Sequence, residues 1–271
     1  MPESPESRES PRLIDSHCHL QTLAPDDRRR ALDEARGRGV SGFLVPAIQL
    51  SEADDILDFC NSEPDVWCAL GVHPHEAQAW RPGDASRLRE LLSEPKVLAI
   101  GECGLDFHYN HCPPEVQIRV LRVQWDLACE LSMPVVVHNR ESDEQMIQLV
   151  REPDYSNLRG DFHSFSGNLS MAVELIERDF YLGVSGMVTF RNADNIREIV
   201  SVLRPAQYLV ETDTPYLAPV PYRGKENRPA NVLEVAQRTA DEMGIELDKL
   251  KHQTTANFER LFTPRSDSEC R

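Results

Sequence analysis

Short apolar runs alternate with amphipathic stretches along nearly the whole chain. The runs are 12–15, 42–48, 66–71, 97–102, 134–138, 158–163, 181–185 and 208–212. Their brevity and β-branched content suit parallel strands buried on both faces. Between them lie helical candidates at 26–36, 51–61, 85–92, 114–131, 142–150, 170–178, 193–203 and 231–243. Asp26 and Ser51 precede apolar periodicity as helix starts, and Gly37 and Gly244 offer stops. Strand-then-helix units repeated in this way predict an α/β protein, a closed parallel (β/α)8 TIM barrel in a single domain, with an open doubly wound sheet as the alternative. A further helix, 247–262, is expected to pack as an appendage.

The polar residues at the ends of the runs favour the barrel. His17 and His19 follow the first run and His73 the third. Glu102 ends the fourth, His138 the fifth and His163 the sixth, while Asp213 follows the eighth. In a closed barrel all these strand ends open on one face, where barrel enzymes carry their chemistry; an open sheet would spread them along an edge.

Composition refines this picture at a few points. A chain of 271 residues fits one barrel domain, and 40% hydrophobic residues are enough for a large core. No apolar run approaches the roughly 18 residues of a membrane helix, and the N-terminus lacks the basic start and apolar stretch of a secretory signal. Residues 1–11, rich in Pro, Glu and Ser, read as a disordered tail, 12–263 as the barrel domain and 264–271 as a flexible end. The seven cysteines are scattered without a C-x-x-C pair, as expected of free thiols in a cytoplasmic protein. Neither a membrane nor an obligate protein partner is expected. With 29 basic and 45 acidic residues the formal charge is −16, which disfavours tight non-specific binding to duplex nucleic acid. Bound cations and a few arginines can still make a cleft locally positive.

Asp15-Ser16-His17-Cys18-His19 can send two imidazoles to one ion as the chain leaves a strand, and neutral imidazole suits zinc, manganese or iron better than calcium. H-x-H alone is unspecific, since most such pairs are surface or core histidines. Glu102 abuts a buried strand and needs a partner to stay charged, which a position bridging two cations would provide. Asp106 reads as a structural hydrogen-bond acceptor. Taken singly, His138 and His163 are better explained as hydrogen-bonded core imidazoles. Together, His17, His19, Glu102, His138, His163 and Asp213 stand at one rim, and their number fits two divalent metal ions (zinc, magnesium or manganese) about 3.5–4 Å apart with a shared carboxylate. Arg140, Arg191, Arg223 and Lys225 could grip an anionic substrate at that rim, though each is equally well a solvated surface charge. His73 could donate to a phosphate, and His75 reads as exposed. His108, His111 and His252 read as surface or supporting residues.

These stretches closely resemble the TatD family of metal-dependent deoxyribonucleases. The resemblance is carried by Ile14–Leu20, Gly71–His75, Gly101–Phe107, Val137–Arg140, His163–Gly167, Ser185–Phe190 and Glu211–Pro219, then by Arg223-Gly224, Asn227, Asn257 and Leu261-Phe262. It spans about residues 13–262 in the family's order. It implies a barrel hydrolase of the wider amidohydrolase group, usually cytoplasmic, with 3′-to-5′ nuclease activity on DNA; a cleft recessed at a barrel mouth in an acidic protein adds the expectation that single-stranded or frayed 3′ ends are preferred. It further implies one metal on His17, His19, Glu102 and Asp213, and a second on Glu102, His138 and His163. Glu102 and Asp213 are then the catalytic carboxylates, Glu102 fixing the metal spacing and Asp213 accepting the proton of the attacking water. The chain departs from the family at Gln21, where Asp is frequent, and at Phe107 and His108, where Tyr is frequent; both departures bear on substrate fit. Other function classes are a metal-dependent amide, ester or lactone hydrolase of small molecules, and a non-catalytic metal-stabilised binding protein.

Overall fold

The computed structural model describes residues 12–109, 111–202 and 207–263. The two expected tails, 1–11 and 264–271, lie outside the described residues. Eight strands form one parallel sheet in sequence order: β1 (Leu13–Asp15), β2 (Val40–Pro46), β3 (Val66–Leu70), β4 (Val97–Asp106), β5 (Val135–Arg140), β6 (Gly160–Phe162), β7 (Phe180–Val184) and β8 (Tyr208–Val210). The helices are α1 (Pro25–Gly37), α2 (Ala53–Ser62), α3 (Asp84–Leu91), α4 (Pro114–Leu131), α5 (Asp143–Val150), α6 (Leu169–Glu177), α7 (Asp194–Val202), α8 (Val232–Met243) and α9 (Leu247–Phe262).

The seam between the last and first strands closes the barrel. Ser16 N–H donates to the Val210 carbonyl at 3.1 Å, Asp213 N–H to His17 at 2.9 Å and His19 N–H to Thr214 at 2.8 Å. The buried Asp15 carboxylate accepts from Thr212 N–H at 2.9 Å and Thr212 Oγ1 at 2.7 Å, so one side chain pins both edges. Desolvation pushes the Asp15 carboxyl well up, against these bonds. With the first and eighth strands joined, the open-sheet alternative is excluded.

Period-two alternation along the strands sorts the core into two sets. Leu13, Phe43, Val45, Cys68, Leu70, Val135, Val137, Phe180 and Leu182 pack in one cluster with the helices, around the fully buried Trp125. Ile14, Leu44, Ala69, Ala99, Val136, Tyr181 and Leu209 form a separate cluster that fills the barrel interior. Phe258, Leu261 and Phe262 belong to that interior cluster, so α9 is not the appendage expected from the sequence but a plug for the barrel's N-terminal mouth. Asn257 donates to Tyr208 O at 2.8 Å and Thr255 to Arg12 O at 2.9 Å, which ties the plug to the strand starts.

Other boundaries differ for local reasons. The second strand starts two residues before the expected 42, and the fourth continues to Asp106 because parallel pairing with β5 overrides its glycines and charges. Asp26 lies inside the first turn of α1 rather than capping it; Pro25 holds the first position, and Asp26 and Asp27 meet the positive helix end. At α2 a short 3-10 turn, Leu50–Glu52, replaces the expected start at Ser51. Gly244 does end α8, at φ +64°. All cysteines among the described residues are free thiols. No helix among the described residues is long and apolar enough to cross a membrane.

Gly104 lies at φ +153° where β4 and β5 approach closely, and a Cβ there would collide with the backbone carbonyl of His138. Gly104→Ala is expected to destabilise the protein by more than about 1 kcal/mol, a fall of at least roughly 2–4 °C in the thermal midpoint, because rigid backbone rather than a flexible side chain must yield. An unchanged midpoint in thermal unfolding would contradict this account of the strand pair.

Candidate metal centre

Glu102 stands at the middle of the barrel's C-terminal mouth, 2% exposed, with its two carboxylate oxygens facing different histidine sets. Oε2 lies 3.4 Å from both His17 Nε2 and His19 Nε2, whose nitrogens are 3.2 Å apart. Asp213 Oδ1 completes that side, 3.5 Å from His19 Nε2 and 3.9 Å from His17 Nε2. Oε1 lies 2.9 Å from both His138 Nδ1 and His163 Nε2, which are 3.3 Å from each other. The strand ends deliver the six residues to one point, and the His17 and His163 rings stack at 3.9 Å to link the halves.

Tetrahedral zinc with bonds of about 2.0–2.1 Å has ligand atoms about 3.3–3.4 Å apart. Around Oε2 the spacings run from 3.2 to 3.9 Å, so the donors are set at the edges of such a polyhedron. The set on Oε1 has fewer members, two histidines at 2.9 Å and no second carboxylate as near among the described residues. Imidazole and carboxylate donors suit a borderline divalent cation, and the residues therefore fit a metal. Combinations of these side chains, with His73 or Glu211 added, converge closely enough to hold an ion.

A hydrogen bond selects which nitrogen of His138 turns inward. Asp106 Oδ2 lies 3.1 Å from His138 Nε2, which keeps the proton there and leaves Nδ1 free for the centre. Glu211 Oε1 stands 3.5 Å from His163 Nδ1, which makes no hydrogen bond among the described residues, and acts on that ring by its charge. His73 differs. Its Nδ1 accepts His75 N–H at 3.1 Å, so a neutral ring carries its proton on Nε2, pointing at Glu102 Oε1 3.5 Å away. His73 is thus built as a donor rather than a lone-pair ligand. Gln21 lies 3.3 Å from His19 Nδ1 through its amide nitrogen, which it also donates to Pro46 O at 2.8 Å.

Burial and charge oppose each other throughout the centre. Burial disfavours ionised Glu102, yet His163, His73, His17 and the bond from His138 outweigh it and hold its carboxyl well below the usual range. Asp213 and Asp106 are likewise depressed against desolvation, chiefly by bonds from His19 and His138. Burial alone would lower His163, but Glu102 and Glu211 raise it well above an ordinary imidazole. His73 is pushed down to about 4 by burial, with Glu102 only partly compensating, and is neutral at physiological pH.

A buried acidic layer below the histidines escaped the sequence reading. Glu211 and Asp161 are fully buried, and among the described residues Glu211 Oε2 and both Asp161 oxygens have no hydrogen-bond partner. Burial, then Glu211, raise the Asp161 carboxyl well above the usual range. A Cβ on Gly183 would come within 2.5 Å of Glu211 Oε2, so the glycine makes room for the acid. The available signal was alternation: Asp161 and Glu211 stand two residues before His163 and Asp213, on the same inward side of their strands.

The centre floors a cavity of about 1120 Å³. Arg140, Arg223 and Lys225 line it; Arg191 does not, and is exposed beyond β7. The Arg223 guanidinium sits 3.8 Å from the centroid of the Phe190 ring. His75 is partly buried against Asp106 at 2.9 Å rather than exposed, and His108 pairs with Glu141 at 2.6 Å on the surface. His111 lines the cavity wall, and His252 is exposed on α9.

The sequence profile described as TatD related DNase matches residues 14–263. The chain belongs to the TatD family. An uncharacterised metal-dependent hydrolase of Escherichia coli, YcfH, is 37% identical over 92% of this chain and 95% of its own. A 3′-5′ ssDNA/RNA exonuclease TatD of Erwinia tasmaniensis is 34% identical over 87% of this chain and 93% of its own. The crystal structure of the TatD homologue YjjV from Escherichia coli superimposes with a TM-score of 0.87 at 27% identity, covering 93% of this chain and 98% of that one. Like its TatD relatives, this barrel is a metal-dependent hydrolase.

The relay from Asp106 to His138 yields a measurable expectation. Asp106→Asn is expected to weaken divalent metal binding by about 10–100-fold, because the amide no longer holds the ring with a charged acceptor. Calorimetric titration of the metal-free protein with zinc or manganese gives the constant, and an unaltered affinity would remove Asp106 from the centre's support.

Proposed function

We propose that this TatD-family barrel is a cytoplasmic two-metal phosphodiesterase that removes nucleotides from the 3′ end of DNA, preferring single-stranded or frayed ends. The observation that carries this reading is the sharing of Glu102 between two histidine sets at the floor of a cavity with basic side chains on its wall. His17, His19, Glu102 and Asp213 would hold one ion, and Glu102, His138 and His163 the other. Three basic against six acidic side chains line the cavity, so without cations it repels a phosphodiester. Bound divalent ions would reverse that balance, polarise the phosphate and lower the pKa of a water molecule. The exonuclease name carried by relatives from Erwinia and Escherichia supports the same substrate class.

The chain's own groups then divide the work. Glu102 keeps the two ligand sets at a fixed separation. Asp213 is held as the anion and accepts a proton as water adds to phosphorus and the 3′-oxygen of the preceding nucleotide departs. Its backbone lies at φ +59°, a costly region for a non-glycine residue, held by the Asp213-to-His17 seam bond. His73 Nε2–H donates to a phosphate oxygen as a neutral group. Arg140, Arg223 and Lys225 contact phosphates on either side. A recessed cavity in a protein of net charge −16 offers little to a long duplex, which favours ends.

Glu102→Gln is expected to keep the fold and lose roughly a hundredfold or more in hydrolysis, since a neutral amide is a poor bridge between cations. A time course on end-labelled single strands with metal-loaded protein, alongside elemental analysis, tests it; wild-type turnover with two ions bound would overturn the assignment. Arg223→Ala is expected to raise KM for single-stranded DNA about tenfold, as loss of a charge-assisted contact implies, with metal content unchanged. Turnover of cyclic amides or lactones without cleavage of DNA in zinc, manganese or magnesium would move the substrate to another class.

A further inference from the structure

Two tyrosines on the cavity wall, Tyr109 and Tyr216, have no part in metal binding or proton transfer, and Tyr109 is the one set parallel to a second ring. Tyr109 follows β4 directly, in a turn whose backbone N–H groups at His108 and Tyr109 donate to Asp106 Oδ1 at 3.0 and 2.9 Å. The turn leaves the phenol ring 51% exposed on the cavity wall, where a ring of that size gains little from packing. The His111 ring lies within 7° of the Tyr109 plane at a centroid separation of 5.8 Å, and the Arg140 guanidinium stands 4.9 Å from the Tyr109 centroid. His75 and His108 approach edge-on, at 5.6 and 4.7 Å.

The same Asp106 that accepts the turn's N–H groups also bonds His138 Nε2 through its other oxygen. A flat ligand lying on Tyr109 is therefore held at a set distance from the metal centre through one buried carboxylate. Parallel aromatic planes beside a guanidinium form the platform on which nucleobases stack, since every base has a π-face and an unpaired base lacks a partner for it.

We propose that Tyr109, aligned with His111 and braced by Arg140, stacks the base of the substrate strand's 3′-terminal nucleotide beside the phosphodiester over Glu102. The inference rests on the nuclease reading and names how that site takes its substrate. Stacking tolerates any base, and a base already stacked inside a duplex cannot reach the ring, so the platform selects unpaired ends without reading sequence.

The test compares fluorescein-labelled single strands ending in 2-aminopurine or in an abasic residue, bound to the metal-loaded full chain as phosphorothioate strands that resist cleavage and cleaved by it as ordinary strands. The wild type is expected to bind the base-bearing strand about tenfold more tightly and to quench 2-aminopurine. Tyr109→Ala is expected to abolish both differences, Tyr109→Phe to retain them, and both variants to keep wild-type metal content. Cleavage by Tyr109→Ala with undiminished base-to-abasic discrimination and quenching would overturn the stacking inference alone. Absence of oligonucleotide cleavage by the wild type in zinc, manganese and magnesium would overturn the nuclease reading and the inference with it.

Discussion

Glu102 is a carboxylate almost wholly removed from water at the point where the strands of the barrel converge. An unpaired anion so placed would cost several kcal/mol, and four imidazoles drawn from three strand ends surround its oxygens. The centre depends on that compensation. The two oxygens separate the histidines into two sets, and the barrel's curvature brings both within reach of one side chain. Everything around the mouth serves to hold this arrangement against mutual repulsion of its acids and crowding of its rings.

Support comes from charged groups that bond or face the histidines and the seam. Asp106 fixes His138, Glu211 approaches His163, and Asp15 locks the seam from which His17 and His19 depart. Gly104 and Gly183 act by omission, giving the His138 backbone and the Glu211 carboxylate space that a Cβ would occupy. Below this layer the interior turns apolar, and α9 closes the far end with Phe258, Leu261 and Phe262. One mouth is thus sealed dry, and the other keeps the charges, which confines hydrolytic chemistry to a single face.

That separation also reconciles an acidic exterior with the anionic substrate proposed above. Electrostatic attraction here is local and conditional on cations, because the cavity's own acids outnumber its bases. On the proposed reading, affinity for a strand would come from a few phosphates and from flat contacts such as Tyr109, as a preference for chain ends over long duplexes requires.

The sequence by itself determined the strand and helix order, the parallel barrel and the six residues that meet at its mouth, because burial on both faces writes a legible apolar run and most of the runs end at, or within two residues of, a histidine or an acid. It also reached Asp106 as an acceptor, but not for which donor. Only the tertiary structure decided that α9 is a plug, since its apolar face is the same whether it meets helices or a barrel end. Only folding brought Asp161 and Glu211 under His163, kept Arg191 off the cavity wall and set which nitrogen of His73 carries the proton. Those outcomes depend on contacts between residues far apart in the chain, and on which ring nitrogen a neighbour's N–H or carboxylate occupies. Periodicity along one strand carries no record of either.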